Sequence, residues 1–292
     1  VITQPLSVGS LRMVWGTRTY VMAILNATPD SFSGDGVVDD LGRAIDVAWR
    51  AVNAGADLLD VGGESTRPGA TTVTAEEEIG RVLPVIEACR ARFDVPISID
   101  TYKSEVAAAA LAAGAELVND VWGLRADPAL AGVVARAGVP VVVMHNRSTP
   151  TDARVREGIG GHYVGVEYDD LITDVRRELA QSVALARTAG VSPDRVIIDP
   201  GIGFGKTARQ SLQLLNRIDA IRDLGHPVLV GPSRKSFIGL TLDLPPQDRL
   251  EGTSAAVAVA VTRGADIVRV HDVETMVRVV RMTDAIVRTA VS

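Results

Sequence analysis

Asp100, Asn119, Asp199 and Lys235 are the side chains in this 292-residue sequence best suited to read a flat, polar ligand. The first three lie at or near the ends of short β-branched runs, ISID, LVND and VIID. Such runs read as buried strands, so their polar ends sit at strand tips. Lys235 lies in the loop GPSRKSF, 231–237, after the apolar run 227–230. Lysine is scarce: of 30 basic residues only Lys103, Lys206 and Lys235 are lysines, and all three follow predicted strands. A carboxylate accepts two parallel hydrogen bonds from an N–H/NH₂ edge, while an amide and an ammonium serve ring nitrogens and carbonyls. The 2-amino-4-oxo pyrimidine edge of a guanine or a pterin presents that pattern. A sugar phosphate suits parts of it.

A second group suits an anion. Arg269 and His271 are two residues apart on one predicted strand and point to the same side. Placed together in an interior they are costly unless an anion pairs with them. Arg67, in the loop ESTRPG at 64–69, can close over the same anion, and Asn26 at the first strand tip offers an amide oxygen to a metal. A phosphate or pyrophosphate site follows, with a hard cation such as Mg²⁺.

The stretch VIIDPGIGFGKT, 196–207, mimics a nucleotide loop but fails both patterns. A P-loop needs glycine where Pro200 stands, and the dinucleotide fingerprint needs glycine where Lys206 stands. Other polar tips read as structural. Asp60 and Asp120 brace loops, His145 is a satisfied buried imidazole, and Lys103 and Lys206 pair with carboxylates such as Asp100. A Schiff-base role for Lys235, as in an aldolase, is the reading that needs no anion site.

The elements that must position these groups repeat a single unit: apolar run, polar tip, amphipathic helix. Strands are predicted at 20–25, 57–61, 96–100, 116–121, 139–144, 196–199, 227–230 and 267–270. Helices are predicted at 39–54, 74–92, 104–113, 128–137, 167–189, 208–224, 251–263 and 273–291. Thr74 and Glu77 have capping-box spacing. A polar insert fills 146–166. Runs this uniformly apolar suit parallel strands buried on both faces. Eight units predict a (β/α)₈ TIM barrel, one domain over 1–292, with a β-hairpin in 1–19 turning at Gly16-Thr17. An open doubly wound sheet is the competing architecture. In a barrel the catalytic groups lie at the C-terminal strand ends, where the polar tips fall.

Composition narrows the partners. The chain is 47% apolar with a net charge of −6, which argues against a nucleic-acid or anionic-membrane surface. Its one cysteine, Cys89, excludes an internal disulfide framework and suggests a reducing compartment. No basic-then-apolar leader opens the sequence and no 18-residue apolar run occurs, so a cytoplasmic protein is expected.

Eight motifs in order resemble the dihydropteroate synthase family: MAILNATPDSFSGDG at 22–36, DVGGESTRPG at 60–69, SIDT at 98–101, NDVWG at 119–123, VVMH at 142–145, IIDPGIGFGKT at 197–207, GPSRKSFIG at 231–239 and RVHDV at 269–273. The resemblance implies the same barrel, and condensation of 6-hydroxymethyl-7,8-dihydropterin diphosphate with p-aminobenzoate to 7,8-dihydropteroate and pyrophosphate, with Mg²⁺. By motif position it implies a pterin site of Asp100, Asn119, Val121, Met144, Asp199, Phe204, Gly231 and Lys235. The diphosphate would meet Asn26, Thr66, Arg67, Arg269 and His271, with Asn26 on the metal. The p-aminobenzoate would meet Phe32, Arg67, Pro68, Phe204, Lys235 and Ser236, and sulfonamides would compete there. Asp100, Lys235, Arg269 and His271 would be the catalytic groups. A homodimer is a further family expectation. Two departures stand out: SFSGDG places Asp35 where the family commonly has SFSDGG, and NRSTP replaces the usual MRGTP at 146–150. A corrinoid-dependent methyltransferase barrel would share the pterin edge but would not need the diphosphate motifs. A non-catalytic paralogue would be expected to have lost ligands from the first two loops.

Overall fold

A computed structural model describes residues 4–27, 37–65, 72–148, 153–164 and 167–288. Strands β1 (Leu6–Val8) and β2 (Leu11–Met13) form an antiparallel hairpin. Then come β3 (Tyr20–Asn26), α1 (Val37–Ala54), β4 (Leu58–Gly62), α2 (Ala75–Arg90), β5 (Ile97–Asp100), α3 (Ser104–Ala112), β6 (Leu117–Asp120), α4 (Leu130–Ala137) and β7 (Val141–Met144). A second hairpin follows, β8 (Ala153–Arg156) with β9 (Gly160–Tyr163). The chain ends with α5 (Leu171–Thr188), β10 (Val196–Asp199), α6 (Ala208–Leu215), α7 (Ile218–Arg222), β11 (Leu229–Val230), α8 (Ser236–Leu242), α9 (Leu250–Thr262), β12 (Ile267–Val270) and α10 (Val273–Arg288).

Among the described residues, eight parallel strands pair in the order β10-β7-β6-β5-β4-β3-β12-β11. A parallel bridge from Ile198 to Val228 joins the two ends and closes the barrel. The alternation of side chains along each strand sorts them into two cores. Outward residues such as Val21, Ala23, Leu59, Val61, Ile97 and Ile99 pack under the helices. Inward residues Tyr20, Met22, Leu58, Leu117, Val142, Ile197, Leu229 and Ile267 fill the barrel. Leu6, Val8, Met13 and Trp15 belong to that inner cluster, so the first hairpin plugs the barrel's N-terminal end. Chemistry is thereby confined to the other end. Among the described residues no helix is long and apolar enough to cross a membrane. Cys89 is buried on α2, where desolvation pushes its thiol up to about 11 and makes it an inert packing group.

Four local expectations change. The first hairpin turns at Gly9 and Ser10, two residues between β1 and β2, and Gly16 instead turns the chain into β3. Thr74 caps α2 by accepting from the Glu77 amide at 3.2 Å, but the Glu77 carboxylate goes to Arg81, so the box is half made. The polar insert carries β8 and β9. The helix expected over 208–224 breaks at Asn216 and Arg217, and Leu214, Leu215, Ile218 and Ile221 all stay buried across the break.

One buried carboxylate ties the short end of the sheet together. Asp266 accepts from the Val228 amide at 3.0 Å and from Arg222 at 3.2 Å, while its carbonyl takes the Tyr20 amide at 2.9 Å. It therefore joins the segments of three neighbouring strands where pairing is shortest. Asp266→Ala leaves the Val228 N–H without its partner, and we expect a loss of about 1–3 kcal/mol in urea unfolding.

Candidate ligand site at the C-terminal mouth

Above the apolar layer the inward positions turn polar: Asp60 on β4, Ser98 and Asp100 on β5, Asn119 on β6, Asp199 on β10 and Arg269 on β12. Register sets their order. Asp60 lies beside Ser98, and Asp100 lies between Gly62 and Asn119. Gly62 matters by its size, because a Cβ there would stand 3.4 Å from the Asp100 Cβ.

Arg269 reaches across this layer. Its Nε donates to Asp60 Oδ2 at 2.5 Å and its Nη2 to Asp100 Oδ2 at 2.6 Å. Asn119 Nδ2 donates to the same Asp60 oxygen at 3.1 Å. Asp60, expected to brace a loop, is wholly buried and serves as the floor of the site. Its placement was readable from the inward row Leu58, Asp60, Gly62. The anion inferred as Arg269's partner is met first by these two carboxylates, which are part of the protein. Two of the five guanidinium N–H groups serve them. Burial would lower the guanidinium's pKa, yet Asp60 and Asp100 hold it above its ordinary value.

Asp100 Oδ1 is buried without a hydrogen-bond partner among the described residues, as are Asp60 Oδ1 and Ser98 Oγ below it. Buried polar atoms normally have partners, so three unpartnered oxygens together mark this layer as one the described chain alone leaves unsatisfied. Burial pushes the Asp100 carboxyl up to about 7; Arg269 opposes this and Asp60 adds to it. Asp199 is also raised by burial, against the pull of Lys235. Its Oδ1 accepts the Gly201 amide at 2.7 Å.

Lys235 stands as N-cap of α8, with Ser236 opening the helix. Its ammonium donates to the Ile202 carbonyl and lies 4.4 Å over the Phe204 ring. Burial lowers it to about 8, while Asp199 resists the fall. The loop carrying it is pinned on both sides. Arg234, at φ +55°, pairs with Asp272 and donates its amide to Thr253 at 3.1 Å. The buried Arg249 guanidinium donates to the Arg234 carbonyl at 2.9 Å and to Ile159 of the insert at 2.7 Å. Gly203, at φ +82°, leaves the room that Lys235 occupies, since a Cβ would meet its Cδ at 3.0 Å. The predicted wall residues Val121, Met144 and Gly231 are all buried at strand ends. His271 accepts or donates at Nδ1 with Ser233 Oγ, 3.0 Å away.

Asn26 ends β3 beside Gly62, half-buried at the mouth. Among the described residues no three His, Cys, Asp or Glu converge as a metal cage. Asn26 offers one amide oxygen at the mouth, and Mg²⁺ takes oxygen ligands and completes its shell with substrate phosphate and water. Phe32, Asp35, Thr66, Arg67 and Pro68 lie outside the described residues. The structural readings of Asp120 and His145 hold: Asp120 caps the Trp122 and Leu124 amides, and His145 is buried between Lys206 and Glu178. Lys103 pairs with Glu64 and Glu78 instead of Asp100, and Lys206 bonds to His145 and to the Gly201 and Phe204 carbonyls instead of a carboxylate.

Removing one member of a buried ion group leaves the others uncompensated. Arg269→Met should lower unfolding free energy by about 3–5 kcal/mol. Adding Asp60→Asn should restore part of that loss in a double-mutant cycle by urea unfolding.

The pterin binding enzyme family profile matches residues 22–271. The chain is 46% identical over 284 residues to the dihydropteroate synthase of Clostridium beijerinckii, covering 97% of this chain and 100% of the relative. It is similar to a solved Xanthomonas albilineans dihydropteroate synthase with 4-aminobenzoic acid, at 42% identity and TM-score 0.88, covering 99% of this chain and 100% of that one. A Yersinia pestis dihydropteroate synthase solved with a sulfonamide drug complex is 40% identical with TM-score 0.87, covering 97% and 99%.

Proposed function

The chain belongs to the dihydropteroate synthase family of pterin-binding enzymes, and on that premise we propose how its residues divide the work of the transferase reaction. The substrates are 6-hydroxymethyl-7,8-dihydropterin diphosphate and p-aminobenzoate; the products are 7,8-dihydropteroate and pyrophosphate. The observation that carries the assignment is the polar layer itself. Asp100 Oδ1 is buried and unpartnered among the described residues, with Asn119 beside it and Asp199 and Lys235 at the same mouth.

The pterin lies across this layer, with Asp199 and Asp100 accepting from its N–H groups and Asn119 and Lys235 donating to its acceptors. Val121, Met144, Phe204 and Gly231 line its faces. The diphosphate lies toward β12, at His271 and the remaining donors of Arg269, with Asn26, Thr66 and Arg67. The p-aminobenzoate lies beside Phe204, Lys235 and Ser236, with Phe32, Arg67 and Pro68. The Yersinia relative solved with a sulfonamide drug complex supports sulfonamide binding, and we assign it to this last position.

The bond that breaks joins the pterin's CH₂ to the diphosphate oxygen; the bond that forms joins that CH₂ to the arylamine nitrogen. The amine then loses one proton, and pyrophosphate leaves with the bonding pair. As the C–O bond lengthens, positive charge spreads into the pterin ring, where Asp100 and Asp199 stabilise it, and negative charge gathers on the leaving group at Arg269 and His271. Mg²⁺, held through Asn26, would supply further neutralisation of the diphosphate. Lys235 donates a hydrogen bond and forms no Schiff base. On family grounds we also assign a homodimer and a cytoplasmic location, which sedimentation and cell fractionation test.

Pyrophosphate release from the two substrates with Mg²⁺ tests the reading, and a protein that releases none refutes it. Lys235→Met should cost about a hundredfold in kcat/KM for the pterin diphosphate, the effect of losing a charged hydrogen bond and its ring contact.

The pH dependence follows from two shifts. Asp100 must be ionised to accept the pterin's donors, and its carboxyl is raised to about 7. Lys235 must be protonated to donate, and it is lowered to about 8. Thus kcat/KM should fall below about pH 7 and again above about pH 8, a narrow bell reporting the free enzyme. The raised Asp100 has the opposite effect on folding. Its contribution to stability is full below the ordinary carboxylate value and is lost as pH rises through about 7. A unliganded protein whose urea midpoint rises across that interval would contradict the shift, given the sign of the linkage.

A further inference from the structure

Lys206 is a charged side chain with no assigned role in the reaction, yet it is 2% exposed and sits inside the loop to which it belongs. Its Nζ lies 2.9 Å from the Gly201 carbonyl, 2.9 Å from the Phe204 carbonyl and 3.0 Å from His145 Nδ1. Those are three acceptors for the three hydrogens of an ammonium. The chain winds around this point through Gly201, Gly203 and Gly205, at φ of +69°, +82° and +57°. A Cβ on Gly201 would overlap the His145 carbonyl oxygen, and one on Gly205 would stand 2.6 Å from the Ser148 amide. The loop is pressed against the tip of β7, and the buried nitrogen joins its two sides.

The same backbone holds two groups assigned to the ligand. Phe204 presents its ring to Lys235, and the Ile202 carbonyl accepts from the Lys235 ammonium. The Phe204 and Gly201 carbonyls that flank Ile202 are the ones Lys206 holds. We propose that Lys206 is a positioning residue: its ammonium clamps the 201–205 backbone and so fixes Phe204 and Lys235 on the heterocycle side of the site.

His145 completes the arrangement. Its Nε2 lies 3.0 Å from Glu178, and Glu178 is paired with Arg147. A neutral imidazole facing that ionised carboxylate carries its proton on Nε2, so Nδ1 accepts from Lys206. Moving one proton from Lys206 to Nδ1 leaves the same single positive charge on the pair. Burial pushes the Lys206 ammonium well below its ordinary value, with Lys235 adding to the fall and Asp199 opposing it, so the clamp is carried by geometry: two carbonyl oxygens at 2.9 Å from the nitrogen. A second hydrogen bond steadies the loop from outside, from the Tyr168 hydroxyl to the Gly205 carbonyl at 3.0 Å.

This inference rests on the site assignments above, and its test separates the two. Wild type, Lys206→Met and Tyr168→Phe are compared for KM of each substrate, kcat, pyrophosphate binding by calorimetry and melting temperature. A wild type without turnover refutes the functional reading. With turnover present, Lys206→Met should raise both KM values about tenfold and leave pyrophosphate affinity within about twofold, because the anion side of the site does not hang from this loop. Tyr168→Phe should show the same split at about two- to threefold. A folded Lys206→Met with unchanged KM values overturns the proposal, and so does a parallel loss of pyrophosphate affinity. If Lys206→Met does not fold, Tyr168→Phe decides alone, and unchanged KM values in it overturn the proposal.

Discussion

A guanidinium stretched between two carboxylates across a closed barrel sets the terms for everything above it. Arg269, Asp60 and Asp100 come from three different strands, and none of the pairings exists until β12, β3, β4 and β5 have paired in register. Burying such a group is unfavourable for each ion alone, and the cost is met by short, well-directed bonds and by Asn119 on the shared oxygen. The pairing also has a chemical consequence. It uses one oxygen of Asp100 and leaves the other buried without a partner among the described residues, so the protein itself fixes how the carboxylate is turned. That orientation is preorganisation: little rearrangement remains at the moment charge develops on the substrate.

The barrel separates stability from chemistry along its axis. Its N-terminal end is closed by Leu6, Val8, Met13 and Trp15 of the first hairpin, which complete the inner apolar cluster. Its C-terminal end carries loops, and loops have carbonyls that helices and strands do not satisfy. Buried basic side chains answer that need repeatedly. Lys206 serves Gly201 and Phe204, Arg249 serves Leu244, Arg234 and Ile159, and Lys103 joins Glu64 and Glu78 to the Val73 carbonyl. Each cation holds irregular backbone in one shape, which regular hydrogen-bond ladders cannot do for a loop. Two of the three scarce lysines thus hold loop backbone in place, and the third, Lys235, is the one we assign to the pterin.

The strands and their tips were legible because a parallel barrel strand is apolar on both faces and its polarity changes abruptly at the mouth. Asn119, Asp199 and Lys235 could be picked out on that ground, and eight ordered motifs identified the family. Asp60 was misjudged. A lone acid one residue from a strand end looks like a loop brace, and only its inward phase with Leu58 and Gly62 places it under the site. The first hairpin was shifted for a similar reason: Gly9-Ser10 and Gly16-Thr17 are both competent turns, and local propensity does not choose between them. The helix over 208–224 kept an unbroken apolar rhythm, so its break at Asn216 left no mark in the pattern.

What the sequence determined by itself was periodicity and chemistry: eight repeats, a polar residue at the end of each run, and motifs specific enough to name a family. These are short-range properties, written in residues a few positions apart. The tertiary structure decided who partners whom. Arg269 could be read as seeking an anion, but that Asp60 and Asp100 meet it first follows from the register of four neighbouring strands, β12, β3, β4 and β5. Lys206 could be read as a surface pair or a phosphate ligand, but its burial inside its own loop depends on His145, 61 residues away. Electrostatic partnership falls off over a few ångströms while sequence separation runs to hundreds of residues, so only the folded chain brings the two scales together.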